Sequence, residues 1–91
     1  MVRILGRPGK SEGRALTGKK FEQEFYMTSD EAVKMLRGLA YELESQGKVE
    51  ASSGEWTLAV TPTEPIKVEV QFKHDPMKKE LEFQLKLKEN P

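Results

Sequence analysis

From Phe21 onward, apolar and polar residues follow two different periods. In Phe-Glu-Gln-Glu-Phe-Tyr-Met, residues 21–27, Phe21, Phe25 and Met27 fall on one side with Gln23 between them; Glu22, Glu24 and Tyr26 fall on the other. That alternation predicts a strand with one wet face. The period then changes. Ala32, Val33, Met35, Leu36, Leu39, Ala40 and Leu43 form one broad stripe at helical spacing, with Lys34, Arg37, Tyr41 and Glu44 off it. Thr28-Ser29-Asp30-Glu31 supplies the helix start. Thr28 can cap the amide of Glu31, Glu31 can reach back, and Asp30 and Glu31 suit the positive end of the helix dipole. Gly47 is the expected stop. Gly38, near the edge of the stripe, costs about 1 kcal/mol relative to Ala in mid-helix.

Beyond the helix the period returns to two. Lys48 to Ala51 reads as a short strand, closed by the turn signal Ser52-Ser53-Gly54. Trp56, Leu58 and Val60 alternate with Thr57, Ala59 and Thr61, and Pro62-Thr63-Glu64-Pro65 breaks the chain. Ile66, Val68, Val70 and Phe72 alternate with Lys67, Glu69, Gln71 and Lys73. After a loop at His74-Asp75-Pro76-Met77-Lys78, Leu81, Phe83, Leu85 and Leu87 alternate with Glu80, Glu82, Gln84, Lys86 and Lys88. Such alternation is the mark of antiparallel strands with one buried face. The expected fold is α+β: an antiparallel β-sheet of about five strands in the order β-α-β-β-β-β, with one helix packed on one face.

The run from Phe21 to Leu87 resembles the amphi-Trp domain family of small bacterial and archaeal proteins. The shared features are the first strand, the helix SDEAVKMLRGLAYEL, a short Gly-Lys-Val strand, and a Gly-Glu-Trp entry into amphipathic strands, with Trp56 as the family tryptophan. The resemblance implies a fold unit over residues 21–89. It implies no biochemical activity, catalytic residue or cofactor.

Composition changes the picture at the N-terminus. The chain of 91 residues carries 15 basic and 15 acidic side chains and is formally neutral, but the charges are unevenly placed. Residues 1–20 hold six basic residues (Arg3, Arg7, Lys10, Arg14, Lys19, Lys20) against the single acid Glu12. This stretch is also rich in Gly and has neither period, so it is expected to be a mostly disordered arm, residues 1–20, ahead of the folded domain. A basic arm suits a polyanion; it equally suits a solubilising tail. Nucleic-acid contact would therefore run through Arg3, Arg7, Lys10, Arg14, Lys19 and Lys20, with Lys34 and Arg37 on the outer helix as a second patch. The outward strand positions are mixed to acidic and carry only Tyr26 as an aromatic, which argues against a base-stacking sheet.

The search for chemistry is mostly negative. With no Cys there is no disulfide, thiolate metal site or cysteine nucleophile. The lone His74 lies in turn-forming sequence and has no partner set for a metal. Gly6-Arg7-Pro8-Gly9-Lys10-Ser11 invites a P-loop reading, but Ile4 stands where the first Gly is needed and no strand–helix context surrounds it. Gly6-Arg7-Pro8 also matches the centre of an AT-hook, whose preceding Arg is replaced by Leu5. Ser52-Ser53 lacks the strand–elbow–helix setting of a nucleophile. No catalytic residue, metal or cofactor is expected, and so no enzyme. The longest apolar runs are too short to span a membrane, and the N-terminus lacks a signal-peptide core, which leaves cytoplasmic as the default location.

Trp56 is in phase with Leu58 and Val60 and is expected in the core beneath Val33, Leu36, Ala40 and Leu43. One helix is about 10–12 Å wide. Five strands span roughly 20 Å. An apolar strip should therefore be left over, around Ile66, Val68 and Val70 or Leu81, Phe83 and Leu85. The N-terminal segment (Val2, Ile4, Leu5, Leu16) or a second copy of the chain would cover it, with a homodimer slightly favoured. Two functions follow. The first is a non-catalytic protein-interaction module acting through the sheet face or a homodimer surface, with an unknown protein partner. The alternative is a nucleic-acid-associated protein that binds phosphates through its arm.

Overall fold

A computed structural model describes residues 1–13 and 20–90 and contains two compact units, Met1–Val60 and Thr61–Pro91. The first unit holds β1 (Val2–Arg3), β2 (Arg7–Gly13), β3 (Phe21–Tyr26), α1 (Ser29–Gln46), β4 (Val49–Ser53) and β5 (Trp56–Val60). The second holds β6 (Lys67–Asp75) and β7 (Lys78–Lys86). The class is α+β, with one helix and seven strands among the described residues. The strands are divided among three sheets, β1-β4-β5, β2-β3 and β6-β7, in place of the single sheet expected.

The helix is bounded by the residues that predict it. The Glu31 amide donates to Thr28 Oγ1 at 3.2 Å and the Thr28 amide donates to Glu31 Oε1 at 2.9 Å, a complete capping box. At the other end Gly47 takes φ 62°, where a side chain would be strained, and its N–H donates to the Leu43 carbonyl. α1 lies against β1 and β4. Val2 and Val49 are the buried apolar residues there, and the missing side chain of Gly38 faces the Val2 methyls. Met35, Leu39 and Leu43 are half-buried, whereas Val33, Leu36 and Ala40 are exposed. The stripe is thus covered along one side only.

Residues 1–13 correct the expectation of a disordered arm. β1 runs parallel to β4, pairing Val2 with Ala51 and Arg3 with Ser52, and the Ile4 amide donates to the Ser52 carbonyl at 2.7 Å. β2 pairs antiparallel with β3, from Arg7↔Tyr26 to Gly13↔Phe21, with a register irregularity between Pro8 and Ser11. Pro8 lacks an N–H and is tolerated because β2 is an edge strand. Composition misled because the glycines here have placed roles. Gly6 has φ 105°, where a Cβ would lie 2.5 Å from the Tyr26 carbonyl oxygen. A Cβ on Gly9 would lie 2.7 Å from the Tyr26 ring. Glycine therefore permits both the entry into β2 and the seating of the tyrosine. Arg14, Leu16 and Lys19 lie outside the described residues.

β4 and β5 form a hairpin with Ser53↔Trp56 at its closed end, so β4 runs two residues beyond its expected end at Ala51 and takes in Ser52 and Ser53 from the expected turn. In the second unit β6 and β7 pair from Lys67↔Lys86 to Asp75↔Lys78. The Met77 and Lys78 amides donate to Asp75 Oδ1 at 2.8 and 3.0 Å, so the loop contracts to Pro76-Met77 and His74 becomes a strand residue paired with Lys79. Outside the strands, the Thr63 amide donates to the Lys88 carbonyl and the Thr61 amide to Glu89 Oε1, both at 2.8 Å.

Candidate functional site

Four places have the residues for a function: the Trp56 cluster, the buried Glu42, the basic N-terminal positions, and the apolar face of β6–β7. Trp56 enters β5 with Leu58 and Val60 on the same half-buried side. Its aromatic partners lie on β3. The indole meets Phe21 edge-on at 5.4 Å between centroids and Phe25 at 6.3 Å. Its Nε1–H donates to Gln23 Oε1 at 2.9 Å. Phe21, Gln23 and Phe25 share one face because a strand alternates, so β3 presents two rings and one acceptor to a single indole. The expected partners Val33, Leu36 and Ala40 are exposed on α1, and the tryptophan is half-buried. Trp56 is a structural tie between β3 and β5.

Glu42 is the residue that sequence reasoning missed. It is buried, with its Oε1 accepting the Glu50 amide at 2.8 Å and its Oε2 paired with the α-ammonium of Met1 at 2.5 Å. The ammonium hydrogen bond, then the Glu50 amide, hold the carboxyl below its ordinary range against the opposing effect of burial. The signal was available: position 42 is in helical phase with Met35 and Leu39, so a carboxylate there needs internal partners. Both partners are structural.

Among the described residues the basic positions are spread over several elements. Arg3 lies on β1. Arg7 lies on β2 with its guanidinium 4.7 Å from the Tyr26 ring centroid, stacked on the chain's own aromatic. Lys10 is on β2, and its amide donates to Glu24 Oε1 at 3.3 Å. Lys20 is ion-paired with Glu22 at 3.1 Å. Glu12, Glu22 and Glu24 thus interleave with Arg7, Lys10 and Lys20 on the β2–β3 ribbon. Lys34 and Arg37 are exposed on α1. Gly6-Arg7-Pro8, the AT-hook-like triplet, leads into a paired strand. An open groove of about 560 Å³ crosses the ribbon, lined by Lys10, Ser11, Glu12, Phe21 and Gln23 among others. No group of three or more metal-ligating side chains is assembled among the described residues.

The β6–β7 hairpin segregates its side chains as far as the pair Lys73↔Glu80. One face carries the cross-strand pairs Val68↔Leu85, Val70↔Phe83 and Phe72↔Leu81. All six are exposed, from 42% at Leu85 to 69% at Phe83. The other face alternates charges: Lys67 and Lys86 each contact Glu69, at 3.2 and 3.3 Å, and Lys78 contacts Glu80 at 3.3 Å. Lys67 and then Lys86 hold the Glu69 carboxyl below its ordinary range.

The strand–helix order, the capped SDEAVKMLRGLAYEL helix, the Trp56 cluster and the amphipathic hairpin together match one family description. The family model of the Amphi-Trp domain covers residues 16–90. The chain belongs to the Amphi-Trp domain family. The match starts five residues before the expected domain limit, and it leaves β1 and β2 outside while taking in the hairpin. The chain matches no curated protein and no solved structure. Among the described residues no helix is long and apolar enough to cross a membrane.

Proposed function

We propose that this Amphi-Trp chain is a small non-catalytic protein-interaction module whose docking surface is the apolar face of the β6–β7 hairpin. One observation carries the reading: six apolar side chains in three adjacent cross-strand pairs stand open to solvent on one face. Scattered apolar residues on a surface are ordinary; a contiguous ladder of them marks a contact surface. A two-stranded hairpin alone is marginal in water and gains stability by packing a face. The charged face carries its own ion pairs and needs no partner to be soluble.

The test is a photo-crosslinking amino acid placed at Phe83 or at its neighbour Gln84, which points to the opposite face. Crosslinks to protein in cells are expected from position 83 and not from 84. Equal yields from the two positions, or none from 83, would refute the reading.

A further inference from the structure

We infer that the occupant of the hairpin face is a second copy of the same hairpin, packed face to face about a two-fold axis that runs across the strands. The inference rests on the interaction-module reading and names its partner. Area is the first argument. Six apolar residues exposed by 42–69% present about 600 Å². Two such faces bury about 1,200 Å², above the roughly 1,000 Å² that a specific interface needs and with an apolar centre.

The order of the pairs is the second argument. A two-fold contact must be self-complementary. An axis across the strands through the middle pair lays Val70 and Phe83 over their own copies. It lays the Val68–Leu85 pair over Phe72–Leu81, so the smallest pair of one hairpin meets a phenylalanine of the other. Charge is the third argument. Lys79 and His74 end the apolar face at the turn. This axis sends the two turn ends to opposite sides, whereas an axis along the strands would gather both turn ends, with two Lys79 and two His74 side chains, on one side. The outer face of each hairpin holds four basic residues (Lys67, Lys73, Lys78, Lys86) and four acids (Glu69, Asp75, Glu80, Glu82), so it offers no net charge to select a charged partner. Two layers of two strands supply the packing that one hairpin lacks.

Sedimentation equilibrium and methyl NMR on the full chain test this together. Twice the 10.4 kDa chain mass is expected at micromolar concentration. A nuclear Overhauser contact should link the Val68 methyls to the Phe72 ring. Those residues are four apart on one strand, about 13 Å, out of range within a single copy. In a mixture of labelled and unlabelled chains the same contact should persist as intermolecular. Phe83→Glu should halve the mass and open the Val68, Val70 and Leu85 methyls to a soluble nitroxide, while Gln84→Glu should leave the dimer intact. A dimer without the Val68–Phe72 contact overturns the inference. So does a monomer at millimolar concentration. If that monomer's methyls are open to nitroxide, the module reading stands with another occupant. If they are protected, the chain covers its own face and both readings fall.

Discussion

Replacing Gly38 by Ala should stabilise the protein by about 1 kcal/mol. Gly38 is internal to α1, ten residues from its cap at Thr28. A glycine in a helix interior costs about 0.8–1.0 kcal/mol relative to alanine, because the unfolded chain loses more freedom on ordering. The space decides whether that gain is realised. A Cβ built at position 38 lies 3.7 and 3.8 Å from the two γ-carbons of Val2, which is ordinary contact. Alanine therefore adds a methyl contact to β1 without displacing it. Thermal and urea unfolding followed by far-UV circular dichroism would read the change, and 1 kcal/mol in a chain of this size is about 4–8 °C in Tm. Gly38→Ile supplies the contrast. Its further carbons must enter the volume of the Val2 methyls, so overpacking of about 1–3 kcal/mol should reverse the sign. An alanine variant less stable than the parent would show that β1 approaches the helix more closely than described. An isoleucine variant as stable as the alanine one would show that Val2 does not pack there.

Thr28→Ala removes the side-chain half of the capping box and should cost about 1 kcal/mol in the same unfolding assay; an unchanged midpoint would mean that the cap contributes nothing. Glu42 predicts an acid dependence. Its folded-state pKa lies below the ordinary 4.5, so its contribution is fully present above that value and is lost as pH falls through the lowered one. Stability measured against pH should therefore fall less steeply on the acid side in Glu42→Gln than in the parent, and superimposable acid limbs would contradict the assignment. Gln23→Leu leaves the half-buried Trp56 N–H without its acceptor; a loss of about 1 kcal/mol and faster solvent exchange of the indole proton are expected. Retained indole protection would place the donor elsewhere.

The local elements were legible because short-range physics fixes them. Thr28 and Glu31 are close enough in sequence to close the capping box by themselves, and Gly47 alone has the freedom to end the helix with φ 62°. Period-two alternation placed Phe21, Gln23 and Phe25 on one side of β3 and separated the apolar from the charged face of β6–β7. The family also followed from local order: its match covers residues 16–90. What alternation cannot carry is the identity of the neighbouring strand, since a period of two says which side faces inward and nothing about what lies there. Strand pairing therefore had to come from the tertiary structure. It put seven described strands into three sheets, joined Val2 to Ala51 in parallel across nearly fifty residues, and gave Trp56 the rings of β3 for company. The Gly-rich start looked structureless because composition averages over positions. Gly6 and Gly9 lie where a side chain would collide with Tyr26, which no local window contains. Glu42 became a buried ion only once β1 brought the Met1 ammonium, and β4 the Glu50 amide, to the helix. Sequence determined each element and its two faces; the long-range pairings, whose energy depends on residues far apart in the chain, decided which faces found a partner and which were left open.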